Sequence, residues 1–260
     1  MNVSIKIERI IYNDIPLLLC YKDNKEEMIP IILLHQLLED KESELTLAYY
    51  LAVSGYYVMI PDLLYHGEWT ESVRNSEKLD FNKLFTEMDR SMELIQNLIQ
   101  YVHMFSGLSV NSEKIGIVGT SYGGMLALAA GSQFHDIKFV AALCTSANWS
   151  TLVENYSFEA FRIFSKKKPV VEPEVVSEYI LKYDPIYHIE GFEDKPVLLI
   201  SGVLDTTFTY ELLKPFYEKM TEHYIEKKCP EKFEWKRYRR AGHKVIYDMV
   251  SYLKLWLKKL

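Results

Sequence analysis

The chain has 260 residues, 48% of them hydrophobic and 25% charged, which is typical of a globular domain and excludes a mostly disordered chain. Its net charge is −6 and it offers no basic stripe, so nucleic acid is not an expected partner. No apolar run approaches the roughly 20 residues that a membrane helix needs and no signal-peptide pattern is evident, so we expect a cytoplasmic protein with no membrane contact.

Apolar residues recur at two different spacings along the chain, which predicts alternating strands and helices. Short apolar runs such as residues 29–35 suit strands buried on both faces of a parallel sheet, and the stripe within residues 80–104 repeats at helical spacing. In chain order we predict strands at 3–11, 15–22 and 29–35, a helix at 41–54, a strand at 56–62, a helix at 80–104, a strand at 114–119, a helix beginning at 123, strands at 139–144 and 196–202, a strand at 233–240 and a last helix at 244–258.

These elements predict an α/β architecture. The first two strands are expected to form an antiparallel hairpin around Asn13 and Asp14, and the later strand–helix units predict a doubly wound, mostly parallel sheet. The stretch 146–192 breaks this rhythm, because it has no strong strand and holds several aromatic residues around three lysines. We interpret it as a small helical cap over the carboxyl edge of the sheet, within a single domain over residues 1–260.

The sharpest motif is Gly119-Thr120-Ser121-Tyr122-Gly123, which lies directly between a predicted strand and a predicted helix. A Gly-x-Ser-x-Gly turn at such a junction presents a nucleophilic serine, because small neighbours let the backbone fold back beside it. The helix N-terminus also directs N–H groups and a positive dipole end at a developing oxyanion. Ser121 is therefore the predicted nucleophile, and a glycine-rich turn with an incidental serine is the alternative.

A serine hydroxyl needs a base to take its proton and a third group to orient that base. Where the serine lies on such a turn, the expected order along the chain is serine, acid, histidine, and only His223 and His243 come late enough. His243 lies in a loop between the last predicted strand and the last helix, whereas His223 lies in a polar stretch and is interpreted as a solvated surface residue. His243 is the predicted base, and a helix-capping histidine is its alternative.

The predicted acid is Asp205, the first carboxylate after the strand at 196–202, because parallel sheets place ligand groups at the carboxyl ends of strands. The alternative is that Asp205 only caps a helix beginning near Thr209. Asp184 precedes a proline in the cap region and Asp194 precedes its strand, so both are weaker candidates.

Two loops are expected to border the site. The loop after the first parallel strand is the usual source of an oxyanion donor, so the backbone N–H groups of Leu37 and Tyr122 are the candidate donors. His35 is expected to brace this loop rather than to react. The pair His66–Gly67, after the next strand, is interpreted as a structural turn near the mouth of the site.

A family resemblance is carried by five stretches that together extend over about residues 29–245: IILLHQ, LAVSGYYVMIPDLLYHGE, GIVGTSYGGMLAL, DPIYHIEGFEDKPVLLISGVLD and AGHKV. The chain resembles small bacterial esterases and acyl hydrolases of the α/β-hydrolase superfamily, near dienelactone hydrolases and prolyl oligopeptidase catalytic domains. The resemblance implies the α/β-hydrolase fold, a Ser121–His243–Asp205 triad and hydrolysis of carboxylic esters.

The chain departs from this family at Gln36, where glycine usually follows the histidine. A glutamine with positive φ costs about 1–2 kcal/mol, so we expect an ordinary backbone conformation there. The side chain is expected to face outward, and the alternative is that its amide lines the pocket.

The leading functional prediction is a cofactor-free carboxylesterase that acts on small esters. We expect short acyl chains, held in a pocket of roughly a few hundred Å³ that the aromatic residues of 146–192 wall. The alternatives are a peptidase or acylaminoacyl hydrolase, a thioesterase, and a non-catalytic ligand-binding protein on the same fold.

No cofactor and no metal are expected, because the chain has neither metal-ligand spacing nor a dinucleotide-binding motif. Its cysteines, Cys20, Cys144 and Cys229, show neither a disulfide framework nor a metal pattern. The expected partner is a small-molecule ester substrate, and the sequence leaves open whether the protein forms a homodimer.

Overall fold

The structure is a computed structural model that describes residues 4–24, 26–69, 82–104, 109–155 and 172–260. Its first element is the predicted hairpin, in which β1 (Ile5–Tyr12) pairs antiparallel with β2 (Ile15–Lys22). The two turn residues, Asn13 and Asp14, have φ angles of 47° and 63°. Short polar side chains tolerate this left-handed conformation, and two such residues in a row suit a two-residue hairpin turn.

The described strands form one eight-stranded sheet in the order β1-β2-β4-β3-β5-β6-β7-β8. Beyond the antiparallel pairs β1–β2 and β2–β4, all neighbouring strands are parallel. The chain moves from β3 to β4 on one side and then to β5 on the other, and such a reversal marks the place where α/β sheets bind ligands at their carboxyl edge. The remaining strands are β3 (Ile29–Leu34), β4 (Tyr56–Pro61), β5 (Ile115–Thr120), β6 (Ile137–Leu143), β7 (Val197–Gly202) and β8 (Phe233–Tyr238).

Helices cover both faces of this sheet. The described helices are α1 (Leu45–Val53), α2 (Lys83–Thr86), α3 (Met88–Met104), α4 (Tyr122–Gln133), α5 (Trp149–Asn155), α6 (Pro173–Tyr183), α7 (Tyr210–Glu226) and α8 (Tyr247–Leu257). Ile31 and Leu33 of β3 pack in one hydrophobic cluster with α1 and α8, while Ile32 and Leu34 pack in the other with α3, α4 and α7. Alternate side chains of a strand point to opposite faces, so each cluster is one face of a doubly wound sheet, as predicted.

The predicted helix at 80–104 is wrong in one respect, because the described part is two helices, α2 and α3. They separate at Glu87, whose φ of −96° and ψ of 16° leave the helical region. Leu84 and Phe85 before this residue and Met88 after it are all buried, so the apolar pattern continues across the break and conceals it. Residues 80 and 81 lie outside the described residues.

The described parts of 146–192 are helical, comprising α5, α6 and two short 3₁₀ turns at Pro185–Tyr187 and Ile189–Phe192. The three lysines and most of the aromatic residues on which the cap interpretation depends lie within 156–171, outside the described residues. The cap and the single-domain organisation therefore stay predictions. None of the helices that the structure describes is both long enough and apolar enough to cross a membrane.

Candidate active site

The serine turn has the strained geometry that its motif predicts. Ser121 lies between the end of β5 and the start of α4, with φ 55° and ψ −116°. A Cβ atom on Gly119 would lie 2.1 Å from the carbonyl oxygen of Gly123, and one on Gly123 would lie 2.3 Å from that of Leu34. Both positions therefore require glycine. The strained turn is held by the hydroxyl of Thr145, which donates to the carbonyl oxygen of Ser121 at 2.7 Å.

The structure brings the three predicted site residues into one chain of hydrogen bonds. Ser121 Oγ and His243 Nε2 are 3.0 Å apart, and His243 Nδ1 is 3.0 Å from Asp205 Oδ2. The Asp205 side chain is fully buried, while that of His243 keeps 15% of its surface exposed. A serine, a histidine and a buried carboxylate in this order can pass a proton from the hydroxyl to the imidazole and stabilise the resulting imidazolium.

Asp205 also organises its own loop with its second oxygen. Asp205 Oδ1 accepts hydrogen bonds from the backbone N–H groups of Thr207 at 2.8 Å and Phe208 at 2.9 Å. The helix-cap alternative is not what the structure shows, since α7 begins at Tyr210 and Thr209 occupies its N-cap position. The carboxylate thus caps a turn before the helix and contacts His243 at the same time.

The loops that carry Asp205 and His243 lie close together because Gly202 ends β7. A Cβ atom there would lie 2.2 Å from the carbonyl oxygen of Ala241, so only glycine lets the histidine loop pack this closely. The backbone N–H of Leu204 donates to that same carbonyl at 2.9 Å. The separation between the acid and the base is therefore set by backbone contacts as well as by their own hydrogen bond.

The other histidine and acid candidates lie elsewhere. The interpretation of His223 as a solvated residue is wrong: it is 4% exposed, and its Nε2 lies 2.6 Å from the carbonyl oxygen of Glu193. Asp184 accepts backbone hydrogen bonds from Trp149 at 2.6 Å and Ser150 at 3.1 Å, where α5 begins. Asp194 pairs with Lys232 at 2.6 Å. Each of these side chains has a structural partner of its own.

His35 braces the loop after β3, as expected. Its Nε2 accepts the backbone N–H of Leu63 at 3.0 Å, so its Nδ1 carries the proton and donates to the carbonyl oxygen of Gln36 at 2.8 Å. Burial lowers the pKa of His35 to about 4, which keeps the ring neutral. The positive φ in this loop is at Leu38, at 66°, and Gln36 keeps an ordinary backbone conformation. Leu37 and Tyr122 stay the predicted oxyanion donors.

A buried ion-pair network holds the loop that follows β4, and it was not predicted from the sequence. Lys41 and Asp62 are 1% and 0% exposed, and Lys41 Nζ lies 2.7 Å from Asp62 and 2.6 Å from Glu68. The network supports the turn at His66–Gly67, where Gly67 has φ 55° and leaves no room for a Cβ atom beside Asp62. The available signal was the position of Asp62 directly after the parallel strand β4.

A small apolar cavity of about 20 Å³ opens beside Ser121, and we name it the acyl cavity. This volume is far below the few hundred Å³ expected, and none of its described lining residues comes from 146–192. The lining residues are Leu37, Leu84, Phe85, Ser121, Tyr122, Met125, Thr207 and Phe208. Most of the aromatic residues predicted to wall the pocket lie within 156–171, outside the described residues, so their position stays a prediction. The room beside the serine hydroxyl is close to that of a single small group.

Comparisons with known proteins agree with this geometry. The model of the prolyl oligopeptidase family matches residues 46–258. The chain is 27% identical to the Bacillus subtilis (strain 168) protein named "Putative esterase YitV", with 93% of each chain covered.

Solved structures share the fold. TT1662 from Thermus thermophilus has a TM-score of 0.72 at 20% identity, with 98% of each chain covered. The Pyrococcus furiosus esterase Pf2001 has a TM-score of 0.68 at 18% identity, covering 99% of this chain and 93% of that one. At these identities the likeness shows the α/β-hydrolase fold, and the family match extends over most of the chain. The chain belongs to the prolyl oligopeptidase family of α/β-hydrolase serine hydrolases.

Proposed function

We propose that this protein is a carboxylesterase that transfers a short acyl group to Ser121 and then to water. The observation that carries the proposal is the hydrogen-bonded chain from Ser121 through His243 to Asp205, beside a cavity of about 20 Å³. The esterase names of two similar proteins agree with it.

In the proposed reaction, Ser121 Oγ attacks the ester carbonyl carbon while His243 Nε2 takes its proton. Asp205 stabilises the imidazolium, and the N–H groups of Leu37 and Tyr122 would stabilise the oxyanion. His243 then protonates the departing alcohol oxygen. A water molecule, deprotonated by the same histidine, attacks the acyl-enzyme and releases the carboxylic acid and free Ser121.

The size of the acyl cavity sets the expected acyl group. A cavity of about 20 Å³ has room for roughly one small group such as a methyl. A longer chain must displace well-packed side chains, and overpacking costs about 1–3 kcal/mol. Acetate esters are therefore the expected best substrates, and activity should fall as the acyl chain lengthens.

A peptidase acting on short acylated peptides is the second candidate, and the prolyl oligopeptidase family match favours it. The same three side chains can cleave an amide, but His243 must then protonate a poorer leaving group, the amine. N-acetyl amino-acid amides, assayed beside the matching esters, separate the two candidates. The peptidase candidate requires measurable hydrolysis of the amides, whereas the esterase proposal requires hydrolysis of the esters without detectable hydrolysis of the amides.

The test is covalent labelling with a fluorophosphonate, together with hydrolysis of p-nitrophenyl esters of graded chain length. Ser121→Ala should abolish labelling and lower kcat by about 10⁴–10⁶-fold. Ser132→Ala is the matched control, because Ser132 lies on the same helix but donates to the carbonyl oxygen of Ala129. An adduct on another serine would reject Ser121 as the nucleophile, and the absence of any adduct would leave the binding-protein alternative.

A further inference from the structure

A second cavity, of about 370 Å³, opens between the N-terminal parts of α1 and α8. Its apolar lining includes Leu47 and Val250, which belong to the hydrophobic cluster of α1 and α8. The acyl cavity is lined instead by Leu84 and Met125, which belong to the cluster on the opposite face. The two cavities therefore lie on opposite faces of the sheet.

The second cavity is bordered by a sequence neighbour of three of the proposed site residues, Leu37, Ser121 and His243. Gln36 precedes Leu37, Thr120 precedes Ser121 and Lys244 follows His243, and all three neighbours line the cavity. His243 is the group that protonates the leaving alcohol, so the alcohol departs on the histidine side of the reacting carbon. With the acyl group in the acyl cavity, the second cavity offers space for the alcohol.

Two polar side chains of this cavity, Glu44 and Thr120, are buried beside each other. Glu44 is 7% exposed, no cation among the described residues pairs with it, and burial, reinforced by Glu39, raises its pKa to about 7. Thr120 is 3% exposed and lies close enough to lower the pKa of Glu44, but its hydroxyl has no partner at hydrogen-bonding geometry in the described part of the chain. Buried polar groups are ordinarily hydrogen-bonded, so a ligand hydroxyl would satisfy the hydroxyl of Thr120, and the carboxyl group of Glu44 has two oxygens that can bind a further hydroxyl of the same ligand.

Two tyrosine rings and a lysine also line the second cavity and narrow the class of ligand. The rings of Tyr50 and Tyr247 lie 6.1 Å apart, and Tyr247 is 67% exposed. Aromatic faces pack against the apolar face of a sugar ring, while carboxyl and hydroxyl groups bind its hydroxyls. Lys244, which lines the same cavity, opposes a cationic alcohol by charge repulsion. The volume lies within the usual range for small-molecule sites, about 300–1,000 Å³.

We propose that the second cavity binds the alcohol part of the substrate and that this alcohol is a polyol of sugar size, which makes the protein a deacetylase of sugar esters. The inference rests on the proposed esterase function. The bond between the acyl carbon and the sugar oxygen breaks as the acyl carbon bonds to Ser121 Oγ. His243 returns the serine proton to the sugar oxygen, and water later releases acetate.

The test compares two acetate esters of primary alcohols on six-membered rings, 6-O-acetylglucose and cyclohexylmethyl acetate. The wild-type protein should prefer the sugar ester by about tenfold or more in kcat/KM. Glu44→Gln should lower this preference by about tenfold, and Tyr247→Ala, which removes an exposed ring, should raise KM for the sugar ester. Glu93→Gln, the same chemical change at an exposed residue of α3, should leave the preference unchanged.

Three results would overturn the sugar assignment. Equal kcat/KM values for the two esters, or unchanged preference in both cavity variants, would refute it while the esterase function stands. Faster hydrolysis of acetylcholine than of the sugar ester would assign the cavity to a cationic alcohol. No hydrolysis of either ester or of p-nitrophenyl acetate would refute the esterase function itself. If Glu44→Gln does not fold, the preference of Tyr247→Ala between the two esters still tests the sugar assignment.

Discussion

Replacing Asp205 with asparagine keeps the shape of the side chain but exchanges one carboxylate oxygen for an NH₂ group. In the wild-type protein Oδ1 accepts two backbone N–H groups, at 2.8 and 2.9 Å, and Oδ2 faces His243 Nδ1 at 3.0 Å. Only the amide oxygen of asparagine can accept, so the two backbone donors hold it on the Oδ1 side. The NH₂ group then faces His243, which must accept at Nδ1 and carry its proton at Nε2.

A proton at Nε2 prevents His243 from taking the proton of Ser121. The opposite amide orientation would leave the N–H groups of Thr207 and Phe208 unsatisfied, at about 1–3 kcal/mol each. That penalty, roughly 2–6 kcal/mol in total, keeps the productive tautomer rare. We therefore expect Asp205→Asn to lower kcat by about 10⁴-fold, which corresponds to about 5 kcal/mol of transition-state stabilisation.

The assay combines kcat for p-nitrophenyl acetate with thermal melting. The melting temperature of Asp205→Asn should change little, because the amide oxygen keeps both backbone hydrogen bonds. Asp184→Asn is the matched control: Asp184 is also buried and binds backbone N–H groups, but its partners are at the start of α5. The reasoning is refuted if Asp205→Asn keeps kcat within tenfold of the wild type while it remains folded.

Three further outcomes are expected. Met125→Ala should raise kcat/KM for butyrate relative to acetate esters by about tenfold, because it enlarges the acyl cavity; an unchanged ratio would show that this side chain does not limit acyl length. Lys41→Met should lower the free energy of unfolding, measured in urea, by about 3–5 kcal/mol, because it leaves Asp62 buried without its cation. Lys258→Met, at an exposed position, should change the free energy of unfolding by about 0.5 kcal/mol or less. Equal effects of the two substitutions would contradict the stabilising role of the Lys41–Asp62 pair. Burial raises the pKa of Glu44 from 4.5 to about 7, so as the pH rises the carboxyl group loses its proton in the unfolded chain before it does so in the folded protein. Between pH 4.5 and about 7, the wild type should therefore lose roughly 3 kcal/mol of folding stability relative to Glu44→Gln. Parallel pH–stability curves for the two proteins would show that Glu44 titrates normally.

Several features of this protein were predictable from its sequence because they depend on residues a few positions apart. The hairpin follows from two short polar residues, Asn13 and Asp14, that tolerate positive φ between two apolar strands. The serine turn is encoded in the same way, since Gly119 must leave room for the carbonyl oxygen of Gly123 four residues later. The alternation of strands and helices then implied a parallel sheet with ligand groups at its carboxyl edge.

Only the tertiary structure decided how distant residues meet. Ser121 and His243 are 122 residues apart, and Asp205 and His243 are 38 apart, so their 3.0 Å contacts depend on strand order and on how closely two loops pack at Gly202. His223 has polar neighbours in sequence but is buried against the carbonyl oxygen of Glu193, which belongs to another segment. The packing of distant elements likewise determines how close Glu44 lies to Thr120 and how large the two cavities are. Residue patterns report local conformation and the buried face of an element, whereas burial of a polar side chain and the space beside it depend on every element that packs there.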